Sequence, residues 1–186
     1  MLATILAGCA QPPTVGGGSS EQQFRAHVAK LASLEQWMMD GRISVSSSKG
    51  GGSARINWQQ NGDQYRIKLI APLGQGGAIV MGDGQQVLVK LSDGQELRGT
   101  DASVLLEQML GWPVPVESLR HMIKGLPSPM DQYELNNQSL VKELQSGQWR
   151  ADFDNYKSIS GYRLPGLISL SGPPAKLKIT VNEWQL

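Results

Sequence analysis

The clearest structural pattern in this 186-residue chain is Ala54-Arg55-Ile56-Asn57-Trp58-Gln59-Gln60-Asn61-Gly62-Asp63-Gln64-Tyr65-Arg66-Ile67-Lys68-Leu69. Apolar and polar residues alternate on both sides of Asn61-Gly62. A strand places successive side chains on opposite faces, and Asn-Gly is a preferred two-residue hairpin turn. The segment therefore predicts two antiparallel strands with one apolar face and one wet face.

Similar short runs lie on both sides of this hairpin. The Ser, Lys and Gly residues of 46–53 predict a loop, and Asp83-Gly84 and Asp93-Gly94 are turn signals. Further strands are predicted over 42–46, 78–81, 87–91, 132–135, 139–144, 149–156, 166–170 and 177–186. Turn signals at such regular spacing predict a meander that curls into a barrel or half-barrel.

Three segments have helical periodicity. The first, over 21–40, is expected to begin after Ser20 and to end at Gly41, and its apolar residues recur every three or four positions as Phe24, Val28, Leu31, Leu34 and Met38. Thr100 is expected to cap a second helix over 101–110, and a third over about 116–124 ends at Gly125. The first helix is expected to pack on a sheet, and the second and third each have an apolar side that we expect to cover the concave side of the curled sheet.

The N-terminal residues predict export and lipid attachment. Leu6-Ala7-Gly8-Cys9 follows a short apolar run and contains the only cysteine of the chain. Bacterial lipoprotein signals have this layout, because small residues precede a cysteine whose thiol accepts a diacylglycerol. Residues 1–8 are therefore expected to be a signal peptide, truncated because its apolar run is short and no Lys or Arg precedes it. The alternative is an ordinary apolar start with Cys9 as a small hydrophobe.

Residues 9–20 would then comprise the lipidated Cys9 and a flexible linker rich in Pro, Gly and Ser. Residues 21–186 are long enough for one domain that buries a core without a disulfide. Because 17 basic residues balance 16 acidic ones, a nucleic-acid partner is not expected. His27 and His121 lie in no catalytic or ligand spacing, so we interpret them as surface or packing residues and expect neither enzyme activity nor a metal site.

A large apolar residue stands in the turn Ala71-Pro72-Leu73-Gly74. Turns are usually polar, so Leu73 either folds back onto the core or projects into solvent. Composition alone favours the core. The margin is small, because single exposed apolar residues are common. The projecting alternative matters if the protein meets a membrane.

One segment carries a family resemblance: Gly111-Trp112-Pro113-Val114-Pro115-Val116-Glu117-Ser118-Leu119-Arg120-His121-Met122-Ile123-Lys124-Gly125-Leu126-Pro127 resembles the signature segment of the LolB family. Trp58-Gln59-Gln60, Ala71-Pro72-Leu73-Gly74 and Leu177-Lys178-Ile179-Thr180-Val181-Asn182-Glu183-Trp184 resemble further marks of that family. The resemblance runs from about Leu34 to the end of the chain. Members are outer-membrane lipoprotein receptors of the lipoprotein localisation pathway.

The resemblance implies a mainly β, α+β fold, an open antiparallel β half-barrel with helices covering an apolar cavity. It implies a protein that receives triacylated lipoproteins from the periplasmic carrier LolA and inserts them into the lipid of the outer membrane. Such a protein is no enzyme, uses no cofactor, and is expected to be a monomer that is lipid-anchored in the outer membrane and faces the periplasm. Ala10, rather than Asp, after Cys9 suits that location. The alternative is another envelope lipoprotein with a ligand-binding or structural role.

The resemblance also implies site residues. Pro72, Leu73 and Gly74 correspond to a protruding loop that pushes cargo into lipid, which reverses the composition-based expectation for Leu73. The inward faces of the predicted elements supply the candidate acyl-chain cavity, namely Ile43, Val45, Ile56, Trp58, Ile67, Leu69, Val89, Leu105, Met109, Leu119, Met122 and Ile123. Core packing is the alternative for each, and we expect it for about half of them.

Overall fold

The computed structural model describes residues 17–48, 50–74, 76–110, 114–173 and 175–186. Three α-helices lie in this part of the chain, α1 (Gly17–Ala32), α2 (Ala102–Leu110) and α3 (Val116–Met122). The strands of this part are β1 (Gln36–Ser47), β2 (Gly50–Asn61), β3 (Gln64–Ile70), β4 (Gly77–Gly82), β5 (Val87–Leu91), β6 (Glu96–Gly99), β7 (Gln132–Leu135), β8 (Val141–Ser146), β9 (Trp149–Asp154), β10 (Lys157–Ile159), β11 (Tyr162–Leu164), β12 (Leu167–Gly172) and β13 (Ala175–Gln185).

Eleven of these strands form one antiparallel sheet in the order β6-β5-β4-β3-β2-β1-β13-β12-β9-β8-β7, and β10 and β11 form a separate hairpin. Strand β1 pairs with both β2 and β13, so Ile43 lies opposite Ile179 although the two residues are far apart in sequence. The sheet has open edges at β6 and β7 rather than closing on itself. The expected α+β fold, an open antiparallel half-barrel with helices, is confirmed.

The inner face of the sheet packs against the helices and forms the core. Alternate residues are buried along each strand, as in β13, where Leu177 and Ile179 are almost fully buried and Lys178 is exposed. Trp37 joins Trp58 and Trp184 near the middle of the sheet, with ring centroids 5.5 and 5.4 Å apart. Burying one such large apolar side chain stabilises the fold by about 1.5–3 kcal/mol.

The first helix differs from its prediction at both ends. It begins at Gly17 and ends at Ala32, so residues 36–40 belong to β1 rather than to the helix. In this strand Trp37 and Met39 point inward and are 4% and 0% exposed, whereas Gln36 is exposed. Backbone pairing with β2 and β13 on both sides outweighs the helical spacing of Leu34 and Met38, because propensity is a weak prior against tertiary contacts.

Smaller corrections concern caps and hairpins. Asp101, not Thr100, caps α2, because its Oδ1 accepts hydrogen bonds from the amides of Ser103 (2.7 Å) and Val104 (3.2 Å). Helix α3 ends at Met122, and Gly125 adopts a left-handed φ of 69° in the turn that follows. Residues 46–53 are mostly strand, since β1 and β2 pair as far as Ser47 and Gly50. Strands β6, β10 and β11 were not predicted.

Among the described residues, no helix combines the length and the apolar character needed to cross a membrane.

Candidate functional site

A cavity of about 490 Å³ lies between the inner face of β1–β4 and β13 and the helical layer. Its lining is mainly aliphatic, and among the described residues it comprises Ile43, Val45, Ser47, Gly50, Gly51, Gly52, Ser53, Ala54, Ile56, Trp58, Ile67, Leu69, Val80, Leu106, Val114, Val116, Leu119, Leu177 and Ile179. Pockets of this size and character hold small apolar ligands in many proteins. The cavity can therefore hold apolar groups but offers no catalytic chemistry among these side chains.

Seven of the twelve predicted cavity residues line this space: Ile43, Val45, Ile56, Trp58, Ile67, Leu69 and Leu119. The other five, Val89, Leu105, Met109, Met122 and Ile123, do not line it. Val89 and Ile123 are fully buried, and Leu105 and Met122 are 6% and 1% exposed, because α2 packs against β5, β6 and α3 in one continuous core. Met109 packs against the same core. These five side chains therefore fill the interior instead of facing a void.

The structure adds lining residues that the sequence analysis did not select. The alternation of apolar and polar residues along 177–186 predicts that Leu177 and Ile179 point inward, but it carries no information about the neighbours of β13. Their place in the cavity follows from pairing with β1, where Val45 lies opposite Leu177. Val114 and Val116 reach the cavity from the start of α3, and nothing in their local sequence distinguishes them from core residues.

Among the described residues that line the cavity, those at the glycine-rich start of β2, Gly50 to Ser53, are exposed to solvent, and we call this end the mouth of the cavity. The last pair between β2 and β3 is Arg55 with Ile70, so residues 50–54 extend beyond β3. A Cβ on Gly51 would lie 2.5 Å from the carbonyl oxygen of Val45, so only glycine allows the two strands this close approach. The β3–β4 turn leaves the sheet at the same end, directly beside this mouth.

That turn carries Leu73, which is 96% exposed. The interpretation from composition, that Leu73 folds onto the core, is wrong. Its φ of 55° lies in the left-handed region, which costs a bulky L-residue roughly 1–2 kcal/mol. The loop is closed at its base, where the Ala71 amide donates to the Gly76 carbonyl at 3.0 Å. An exposed leucine held in a strained conformation gains nothing from the folded chain itself, which points to a role outside it.

The end opposite the mouth, which we call the closed end, carries polar contacts from α3 and from the residues just after it. The guanidinium of Arg120 donates to the carbonyl of Gly62 (2.9 Å) and to Asp63 (3.2 Å) in the β2–β3 turn. The ammonium of Lys124 donates to the carbonyls of Leu31 and Leu34 at 3.3 and 3.2 Å. Burial, reinforced by the nearby Arg120, lowers the pKa of Lys124. These contacts tie α3 and the residues just after it to the end away from the mouth.

The two histidines lie apart from the cavity. Burial is the main cause that lowers the pKa of both His27 and His121, and neighbouring cations add to it. In the described part of the chain, no three His, Cys, Asp or Glu side chains are grouped so that they could hold a metal ion. Cys9 and residues 1–16, with the predicted signal peptide and most of the predicted linker, lie outside the described residues, as do 111–113 of the signature segment.

Sequence comparison finds relatives over nearly the whole chain. A family model described as "Outer membrane lipoprotein LolB" matches residues 35–184. The outer-membrane lipoprotein LolB of Tolumonas auensis is 35% identical over 174 residues, which cover 90% of this chain and 89% of the relative. The LolB of Pseudomonas putida is 32% identical and covers 99% of this chain and 92% of its own length.

Solved structures with the same fold have little sequence identity. A DUF1329 family protein from Desulfovibrio piger aligns with a TM-score of 0.59 at 8% identity, covering 90% of this chain and 91% of its own. A LolA superfamily protein from Nitrosomonas europaea aligns with a TM-score of 0.55 at 8% identity, over 90% and 93% of the two chains. These likenesses support the fold alone, whereas the family match covers most of the sequence. The chain belongs to the LolB family of outer-membrane lipoproteins, which act in lipoprotein localisation and are not enzymes.

Proposed function

We propose that this protein receives the acyl chains of lipoproteins from the carrier LolA in its cavity and inserts them into the outer membrane. The observation that supports this proposal is a juxtaposition. An apolar cavity of about 490 Å³ opens at the same end of the sheet as the 96% exposed Leu73. A cargo lipid that leaves through this mouth passes the loop that would touch the membrane.

The cavity suits acyl chains because it shields them without directional chemistry. Each methylene group of an acyl chain gains about 0.8 kcal/mol on leaving water, so a triacylated protein does not cross an aqueous gap unshielded. Ile43, Val45, Ile67 and Leu69 offer aliphatic surface without fixed polar partners. Release then requires only that the bilayer hold the chains better than the cavity does.

The loop suits membrane contact because its apolar side chain is already extended toward solvent. The Leu73 side chain has no polar group that must lose its hydration when it enters lipid. Ile70, which is 42% exposed, lies beside it. Burying a leucine contributes about 1.5–3 kcal/mol, which favours brief contact over permanent anchoring. Lasting attachment would come from a lipid on Cys9, so that the protein is anchored in the outer membrane, faces the periplasm and acts there as a monomer.

The loop is tested with the full chain carrying Cys9→Ser, which removes the protein's own lipid. Leu73→Glu is expected to accept an acylated lipoprotein from LolA at the normal rate but to leave it in solution instead of in vesicles. Met130→Glu is the matched control, because Met130 is 93% exposed but lies in a different turn. The readout is the distribution of cargo between the soluble complex and vesicles after centrifugation.

Normal delivery by Leu73→Glu, or equal loss in Met130→Glu, would contradict the role of the loop. Failure of the unsubstituted Cys9→Ser chain to take cargo from LolA, with an intact fold, would contradict the receptor function. In that case a ligand-binding or structural role in the envelope becomes the better explanation.

A further inference from the structure

The outer face of the sheet is basic near the Leu73 loop. Arg42 of β1 and Arg55 of β2 are exposed and lie directly opposite each other in the antiparallel register. Like charges in directly opposite positions destabilise a sheet. The pair is therefore an unfavourable arrangement that an anion on this face would relieve.

Three more cations extend this face. Lys68 of β3, and Lys176 and Lys178 of β13, are exposed residues on the same side of the sheet. We call the group the basic face, which comprises Arg42, Arg55, Lys68, Lys176 and Lys178. In the described part of the chain none of these five forms an ion pair, whereas Lys90 and Arg98 both contact Glu96.

Acidic residues on this side lie away from the loop. The nearest acidic residue in β1 is Asp40, two residues before Arg42 on the same face of the strand. Its carboxylate accepts a hydrogen bond from the side-chain amide of Asn57 at 2.9 Å. Its neighbour across the β1–β13 pairing is another carboxylate, Glu183. The charge on this surface is therefore not neutralised around Arg42 and Arg55.

Apolar and basic groups meet at the base of the loop. A depression of about 320 Å³ is bounded by Arg42, Arg55, Ile70, Pro72 and Leu73, together with Ser53, Ala54 and Ala71. Leucine and isoleucine side chains suit the acyl region of a bilayer, and guanidinium groups bind phosphate in a planar, bidentate geometry. The two kinds of group lie at neighbouring positions, as they do at the boundary between headgroups and acyl chains.

We propose that the basic face docks on a bilayer surface of anionic phospholipids, with Arg42 and Arg55 binding headgroup phosphates while Leu73 enters the acyl region. This inference rests on the proposed membrane contact of the loop and adds the lipid class and the orientation. The outer face of β1–β3 then lies against the membrane at its loop end. The cavity mouth beside the loop faces the same surface, so released acyl chains travel a short distance.

The test measures binding of the full-length Cys9→Ser chain to two kinds of vesicle, one of phosphatidylethanolamine and phosphatidylcholine and one with anionic phosphatidylglycerol added. Arg42→Gln/Arg55→Gln is expected to weaken binding to anionic vesicles by about 20- to 30-fold at low salt and to leave binding to neutral vesicles unchanged. The preference of the parent chain for anionic vesicles should shrink as salt rises, because exposed charges are screened.

The matched control is Lys30→Gln/Lys142→Gln, which removes two exposed cations of α1 and β8 that form no ion pair in the described structure and lie outside the basic face. It is expected to retain the anionic preference. An equal loss in both double variants would show a net-charge effect only and would overturn the proposal, as would an unchanged preference in Arg42→Gln/Arg55→Gln. Leu73→Glu tests the membrane contact of the loop separately from the basic face. Normal binding of this variant to neutral vesicles would refute the proposed membrane contact of Leu73.

Discussion

Two halves of the sheet have the same alternation of apolar and polar residues, but their inward side chains are closely packed in one half and face a void in the other. The packed half comprises β7–β9 and β12 under α1, where Leu144, Ala151 and Ile168 are fully buried. The cavity half comprises β1–β5 under α2 and α3, where Ile43 and Leu69 are only half-buried and face a void. The alternation therefore determines which side chains point inward, and the covering layer determines whether they find a partner.

The covering layers differ in length and attachment. Helix α1 has 16 residues and lies along the packed half, where the Phe24 ring meets Tyr133 at 4.8 Å between centroids. Hairpin β10–β11 adds the fully buried Leu164. Helices α2 and α3 have nine and seven residues, and Arg120 and Lys124 hold α3 at the closed end. Within the residues that the structure describes, the mouth end of the cavity half has no comparable cover.

Truncating an inward side chain should lower the free energy of unfolding much more in the packed half than in the cavity half. Ile168→Ala in the packed half should lower the free energy of unfolding by about 2–5 kcal/mol, because it opens a new void in a close-packed region. Leu69→Ala in the cavity half should cost only about 1 kcal/mol, because it enlarges a space that already exists. Urea unfolding of both variants measures the two losses. Equal losses would mean that the cavity closes in solution.

Enlargement of a side chain should also destabilise the packed half more than the cavity half, but it should lower ligand binding only in the cavity half. Val45→Phe adds volume beside the void and is expected to leave the free energy of unfolding within about 1 kcal/mol of the parent chain. It should lower the affinity for an apolar fluorescent dye severalfold, because it occupies the binding space. The measurement is a dye titration followed by urea unfolding of the same samples.

Ala151→Val is the matched change in the packed half. It should cost about 1–3 kcal/mol, because the added methyl groups find no space, and it should leave dye affinity unchanged. Loss of dye binding in this variant, with the fold intact, would place the dye site outside the cavity.

Acidification should affect both halves by a smaller amount. His27 lies on α1 in the packed half and His121 on α3 in the cavity half, and the pKa of each is below its ordinary value of 6.5, mainly through burial. Below pH 6.5 the unfolded chain then binds more protons than the folded one, so stability falls as the pH drops from 7 to 5. His27→Gln and His121→Gln should each remove part of this slope, measured by urea unfolding at several pH values. An unchanged slope in the double variant would refute the assignment.

Sequence reasoning predicted the hairpin of β2 and β3, because alternation and a glycine turn are local signals. The turn itself lies one residue later than predicted, at Gly62-Asp63, because Asn61 pairs with Gln64. It misplaced the end of α1, where the spacing of Leu34 and Met38 fits a helix but pairing with β2, and from Met38 onward also with β13, makes residues 36–40 part of a strand. Of the candidate cavity residues, those on β1–β3 line the void, while Val89 and Ile123 fill the core. The direction of a side chain follows from the pattern, but its neighbour does not.

The sequence by itself determined most of the strands and turns and the family, because these depend on the order of residues along the chain. It also located Leu73 in a turn, where a leucine is unusual. Only the tertiary structure decided that Leu73 projects beside the cavity mouth, that β1 and β13 join the two ends of the domain, and that α2 and α3 leave space beneath them. The physical reason is that alternation specifies a face, whereas a cavity depends on the distance between two layers, which is set by contacts between residues far apart in the chain.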